Sequence, residues 1–248
     1  MKTLLNLTQE QTIFQTHYAK YAHGMLPLAD KPLVSYCIDK LAAQGYQTIY
    51  IVTTDRTQAI TKKLGFGSFW SLTIHYLNIN KKVDLDKYLN LKTQGLNEIY
   101  LPEITKNNES QNLQDNGMDY ISNLIDHYMD KQLQVVTDSN NFQLPSYQVK
   151  PNLFLSEGAQ AQVMPDYPVH LGKFSQLDSQ CIFRGPSVIG KNCVVARGNI
   201  LDNTVVMPNT FVGSGLDLSN CLVTSEWIYH RITQEQIRID NLELLAAA

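Results

Sequence analysis

Between Leu171 and Val223 large apolar residues return every six positions. Leu171, Leu177, Phe183, Ile189, Val195 and Leu201 keep this spacing, and after one five-residue step it resumes at Val206, Val212 and Leu218. The next residue is often small or turn-forming (Gly172, Asp178, Gly190, Ala196, Asp202, Gly213), and four places on stands a small side chain in the early repeats: Ser175, Cys181, Ser187, Cys193. An α-helix needs apolar recurrence at three and four, so it cannot hold this pattern. A fixed short period marks a solenoid. One short strand and turn make one wall of a prism, and three walls close a coil of about 18 residues. The large residue fills the axis, the small one a crowded corner, and equivalent strands of successive coils stack in parallel. Gly190, Asn192, Gly198, Asn203, Pro208 and Asn209 supply corners.

The pattern upstream has a different period. Thr3–Leu7 reads as a short buried strand, followed by the polar, glycine-free stretch Thr8–Phe14. Pro32 suits the first turn of a helix running to Ala43, with Leu33, Cys37 and Leu41 on one face and Gly45 at its end. Thr48–Thr53 is strongly β-prone, so strand, helix and strand form a βαβ unit. Further expected elements are a helix over Thr57–Leu64, a strand over Leu72–Leu77 and a helix near Asp84–Leu91. A strand near Glu98–Leu101 and a helix over Met118–Met129 follow, with polar loop at Thr105–Gly117. The domain boundary is expected near Ser139–Pro151.

Composition narrows the function classes. No Lys/Arg cluster exceeds a pair and the net charge is -3, which argues against nucleic-acid binding. No apolar run approaches the roughly 18 residues of a membrane span, and Met1–Thr8 reads as a strand rather than a signal peptide. Cys37, Cys181, Cys193 and Cys221 have no metal-ligand spacing, and Cys181 and Cys193, twelve apart, fall on different walls; a reduced cytoplasmic setting fits.

Two resemblances follow from these residues. The six-residue period resembles the hexapeptide repeat of left-handed parallel β-helices, and the left hand is what that resemblance implies. Met25-Leu-Pro-Leu-Ala-Asp-Lys-Pro-Leu33, then a helix, then Gly45-Tyr-Gln-Thr-Ile-Tyr-Ile-Val-Thr53, resembles the front of sugar-nucleotidyltransferases (NDP-sugar pyrophosphorylases), nearest the mannose-1-phosphate guanylyltransferase branch. Leu64–Tyr76 is similar to the family's approach to its third strand. The implied architecture is α/β plus all-β: a shortened Rossmann-like nucleotidyltransferase domain over residues 1–150, then a left-handed parallel β-helix with a C-terminal cap over 151–248. The chain departs from the family where the chemistry sits. The phosphate-wrapping Gly-rich loop is replaced by Thr8–Phe14, without Gly or Arg; His23 and Gly24 stand where the family has Lys-Pro; and the Gly-Asp metal-binding strand end has no counterpart between Asn78 and Leu101. This resembles a degenerate copy.

No catalytic residue and no metal ligand are therefore assigned. Candidate ligand-binding positions are His23, which stands in place of the family's Lys, Asp30 and Lys31 in the matching motif, and Asp55 after the second strand. Each has a plainer role: Asp30 caps or leads a helix, Lys31 packs at its start, and Asp55 turns the chain. Three functions stay open. The first is a non-catalytic homologue acting as regulatory or scaffolding subunit in sugar-nucleotide or surface-polysaccharide metabolism. The second is an active sugar-1-phosphate nucleotidyltransferase with a rebuilt site, the one case that requires Mg²⁺; no other cofactor is expected. The third is a hexapeptide acyltransferase using His170 as base. Flat solenoid walls favour a homo-oligomer, and the resemblance implies an active nucleotidyltransferase or polysaccharide-synthesis protein as partner. Neither nucleic acid nor membrane insertion is expected.

Overall fold

The computed structural model describes residues 1–8, 24–54, 57–100, 117–139, 142 and 144–239. By contact the chain forms two compact units, Met1–Leu26 with Pro32–Lys106, and Pro27–Lys31 with Asn107–Ala248. It is mixed α/β, with many parallel strands and a strand-rich C-terminal part.

In chain order the first elements are β1 (Lys2–Asn6), β2 (Pro27–Leu28), β3 (Lys31–Pro32), α1 (Leu33–Ala43), β4 (Thr48–Thr53) and α2 (Thr57–Leu64). A 3₁₀ turn at Ser68–Trp70, β5 (Thr73–Asn78), α3 (Lys82–Thr93) and β6 (Glu98–Tyr100) follow. Four of these strands pair in parallel in the order β5-β4-β1-β6, aligning Leu4 with Tyr50 and with Glu98. Both neighbours of β1 are thus reached by crossovers, and its residues Thr3–Asn6 are buried. Leu4, Val52, Leu77 and the ring of Tyr88 on α3 form the core on one face. α1 ends in a two-bond C-terminal cap: Gly45 at φ 83° donates to the Ala42 carbonyl and Tyr46 to Leu41. That left-handed position is why glycine stands there.

Among the described residues the second unit contains α4 (Gly117–Thr137) and fifteen strands: β7 (Tyr147–Lys150), β8 (Leu153–Leu155), β9 (Gln160–Ala161), β10 (Val169–Leu171), β11 (Gln176–Leu177), β12 (Ile182–Phe183), β13 (Ser187–Ile189), β14 (Val194–Val195), β15 (Ile200–Asp202), β16 (Thr204–Val206), β17 (Phe211–Val212), β18 (Asp217–Ser219), β19 (Cys221–Val223), β20 (Trp227–His230) and β21 (Glu235–Arg238). Twelve of them sort into three parallel stacks visited in rotation: β8-β10-β13-β16-β19, β9-β11-β14-β17 and β12-β15-β18. Val169 pairs with Ser187, eighteen residues on, and Ser187 with Thr204, seventeen on; the shorter interval contains the five-residue step. The axial column is the apolar series read from the sequence, Leu171 through Leu218, joined by Leu153, Val163 and Val223. The stack therefore starts earlier than Leu171, at Leu153–Leu155, which pairs with Val169–Leu171, but Ala161, in register with Leu177, is too small to carry the pattern back. A second five-residue step separates Leu218 from Val223. Ser175, Ser187 and Cys193 are fully buried, and Ser175 donates to the Gly190 carbonyl while accepting from the Cys193 amide, so the small residues bind one coil to the next.

At one corner Gly158, Phe174, Asn192 and Asn209 all take positive φ, and Asn192 donates to the Asn209 side chain at 3.0 Å. The antiparallel strands β7 at one end and β20–β21 at the other close the first stack. The β20–β21 hairpin spans Trp227–Arg238. α4 runs to Thr137, two turns beyond the expected Met129, because Gln132, Leu133, Val135 and Val136 continue its buried face. It lies against β13 and β16. By contact α4 and the β2–β3 hairpin join the strand-rich unit, so the two units are not simple halves of the sequence.

Candidate functional site

Parallel sheets bind ligands beyond the carboxyl ends of their strands, at the point where strand order reverses. Here that point lies between β1 and β6. Asn6, at the end of β1, donates to Glu98 Oε1 at 2.6 Å and accepts from the Thr8 amide at 2.9 Å. Glu98 also accepts from the Tyr88 hydroxyl at 2.8 Å and pairs with Lys92 at 2.9 Å. Burial raises the Glu98 pKa, but the bonds from Lys92, Asn6 and Tyr88 outweigh it and the carboxylate stays below its ordinary range. Thr53, at the end of β4, bonds Thr57 at 2.7 Å, and the Asn78 side chain accepts from the Asn80 amide at 3.0 Å. Beside these ends a cleft of about 450 Å³ is lined by Thr57, Gln58, Thr61, Lys62, Tyr76, Asn78, Lys81 and Asp84.

His23 and Asp55 lie outside the described residues. Asp30 does not cap α1, whose N-cap is Pro32 with no side-chain bond. It occupies a two-residue hairpin turn between β2 and β3, with Ala29 at φ 43° and Asp30 at φ 68°, both in the left-handed region. Its Oδ2 accepts from the Lys173 amide at 2.6 Å, while Oδ1 is buried without a hydrogen-bond partner. A Cβ on Gly172 would come within 2.3 Å of this carboxylate, so glycine is what admits it. Burial pushes the Asp30 pKa up to about 6 against the opposing pull of the Lys173 and Lys191 amides and ammonium groups. Lys31 is half-buried at the start of β3. The hairpin is pinned further by Gln132, which accepts from the Ala29 amide at 2.9 Å and donates to the Pro27 carbonyl at 2.6 Å. Proximity in sequence to α1 suggested a cap; the long-range partner of Asp30, Lys173, leaves no local signal.

His170 is fully buried, its Nε2 is 3.3 Å from Ser156 Oγ, and burial drives its pKa down to about 3. A base for acyl transfer must reach its substrate, and this imidazole has no open side. All four cysteines are free thiols; burial pushes Cys37, Cys181 and Cys221 up to about 11 and Cys193 to about 12, so none offers a thiolate near neutrality. Among the described residues no group of three or more His, Cys, Asp or Glu side chains is placed to hold a metal ion. No described helix is long and apolar enough to cross a membrane.

No protein-family model matches the chain. A UTP–glucose-1-phosphate uridylyltransferase of Synechocystis sp. (strain ATCC 27184 / PCC 6803 / Kazusa) is 28% identical to it over 86 residues. The chain is distantly similar to sugar nucleotidyltransferases. The matched segment is 34% of this chain and spans only 22% of that relative. The likeness supports a relationship of the kind the Leu-Pro-Leu-Ala-Asp-Lys-Pro motif implies, and it is to a uridylyltransferase rather than to a guanylyltransferase.

Proposed function

We propose that the protein is a catalytically degenerate sugar-nucleotidyltransferase homologue that serves as a regulatory or scaffolding subunit in sugar-nucleotide or surface-polysaccharide metabolism. Its second unit, on this reading, is a left-handed hexapeptide β-helix, and its setting is cytoplasmic. The observation that carries the proposal is the chemistry of the carboxyl edge. Among the described residues the ends of β1, β4 and β5 present Asn6, Thr53 and Asn78, all uncharged and all bonded to neighbouring protein groups. The segment that follows β1 contains no glycine or arginine through Phe14. Nucleotidyl transfer depends on neutralising the charge that develops on phosphates. Amides and hydroxyls already bonded to protein neighbours do not supply that at the strand ends themselves; the nearby cations, Lys62 and Lys81, line the adjoining cleft from α2 and from beyond the end of β5. The uridylyltransferase likeness supports a nucleotide-binding ancestry; on this reading UDP-sugars and GDP-mannose are the ligand classes to try, and an active family member or polysaccharide-synthesis protein is the partner.

The test is calorimetric titration with GTP, UTP, GDP-mannose and UDP-glucose, with and without Mg²⁺, followed by a pyrophosphate-release assay with sugar 1-phosphates. Metal-independent binding of one sugar nucleotide marks a sensor, and no binding marks a scaffold. Mg²⁺-dependent pyrophosphate release overturns the proposal in favour of an active enzyme with a rebuilt site.

A further inference from the structure

The loop joining α2 to β5 exposes two phenyl rings: Phe66 is 70% and Phe69 82% accessible to solvent. This is a built loop. Trp70 and Leu72 both donate to the Gly67 carbonyl, Ser71 donates to Ser68, and Ile74 closes the loop onto Phe66. The Trp70 indole donates to Asp39 at 2.6 Å, and the Tyr76 hydroxyl to Gly65 at 2.5 Å. Gly67 sits at φ 93°, where a Cβ would meet the Leu72 carbonyl at 2.4 Å. The two exposed rings are backed edge-on by aromatic partners, Phe66 by Tyr76 at 6.2 Å and Phe69 by Trp70 at 5.1 Å. Holding a pair of phenyl rings in water on a rigid loop is a cost that an occupant must offset.

The charge around the loop indicates which occupant. Lys62 and Lys63 precede the loop on α2, Lys81 and Lys82 follow β5 at its other end, and a carboxylate at the loop itself, Asp39, is engaged by the Trp70 indole. Tyr76, which backs Phe66, also lines the 450 Å³ cleft that holds Lys62 and Lys81. The cleft's carboxylate, Asp84, is turned onto the Asn78 amide at 3.3 Å. Two-fold contact with a second copy would set these lysines against themselves. An anionic lipid surface satisfies both features, because aromatic rings settle at the headgroup boundary and each nearby cation adds attraction.

We propose that the α2–β5 loop is a peripheral membrane-docking site: Phe66 and Phe69 enter the headgroup–acyl boundary of an anionic bilayer, and the Lys62/Lys81 cleft receives a lipid headgroup phosphate. The contact is reversible adsorption, since two rings and a few lysines are the weak paired signals that give it.

Co-sedimentation of the full chain with phosphatidylcholine vesicles, and with vesicles containing equal parts phosphatidylglycerol, tests this at about 0.1 M salt, where charges still act over roughly 10 Å. Binding is expected only to the anionic vesicles and is lost at about 1 M salt, where screening falls to about 3 Å. The double variant Phe66→Ser/Phe69→Ser, folded by the criterion of an unchanged melting curve, loses at least ~10-fold in partition. Lys62→Gln/Lys81→Gln abolishes the preference for phosphatidylglycerol. No binding to either vesicle, or equal binding by wild type and the Phe variant, overturns the proposal. Saturable binding of inorganic phosphate in the cleft without vesicle binding marks a free-anion site and also overturns it. So does a concentration-dependent dimer that the Phe variant abolishes.

Discussion

Asp30 holds a buried carboxylate oxygen with no partner beside another that accepts a short backbone bond. Its native pKa of about 6 lies above the ordinary 3.8, so between those values the folded protein holds a proton that the unfolded chain releases. Stability from this group is therefore present at low pH, falls as pH rises through roughly 4 to 6, and stays low above. Asn keeps an acceptor for Lys173, carries no charge and tolerates φ 68°. Asp30→Asn should raise stability at pH 7 by about 1 kcal/mol, a few degrees in Tm. Melting curves from pH 4 to 8 check this; an Asn variant less stable than wild type at pH 7 would show that the charge itself is held favourably. His170 acts in the opposite direction. Its pKa is lowered from 6.5 to about 3, so the neutral form contributes fully above 6.5 and that contribution is lost on acidification through this window. In the Asn variant the His170 loss should appear without the opposing change from Asp30.

At the scale of elements, α4 shows how a helix is recruited to a sheet. Ile125, Tyr128, Met129, Gln132, Leu133 and Val136 recur at three and four and are buried. The sheet it lies against is buried on both faces at β13, β16 and β19, where Val188, Val205 and Leu222 stand in register on the side away from the axis. Gln132 is the polar member of the helix face. It bonds the Pro27 carbonyl, the Ala29 amide and the Tyr128 hydroxyl, fastening the hairpin to the helix. Gln132→Leu keeps the volume and strands the Ala29 amide, while the Pro27 carbonyl keeps its bond from the Tyr128 hydroxyl at 2.6 Å, for a cost of about 2 kcal/mol. Urea denaturation with an unchanged slope measures it, and a loss under about 0.5 kcal/mol would mean that water or Tyr128 replaces the amide. The Arg231–Asp130 pair, at 2.6 and 2.9 Å, ties the β20–β21 cap to the same helix, but both side chains are solvated and the contribution is small.

For the whole molecule, the antiparallel ends close one stack of the strand-rich unit, while other walls present outward ladders: Gln160, Gln176, Val194 and Phe211 on one, Ile182, Ile200 and Asp217 on another. Ile182 is 54% exposed, an apolar residue on a flat wall of short strands. Self-association through such walls is the expected outcome. Sedimentation velocity across a range of concentrations reads it, and a monomer throughout would defeat the expectation. The Ile182→Asp variant should shift the species toward monomer.

Much of this was legible in the residues. The six-residue period names the axial column from Leu171 onward because an axis admits one large side chain per wall and nothing else at that place. The βαβ units were legible because propensity, caps and spacing agree locally at Pro32–Thr53. Contacts distant in sequence were not. Nothing near Asp30 announces Lys173, and nothing in α4 says which sheet it covers. The coil at Leu153–Val163 was hidden because Ala161 breaks the size pattern that its neighbours keep. Local chemistry, repeated, dictates periodic structure; which faces meet depends on surfaces assembled from residues more than a hundred positions apart, and only the folded chain brings them within hydrogen-bond reach.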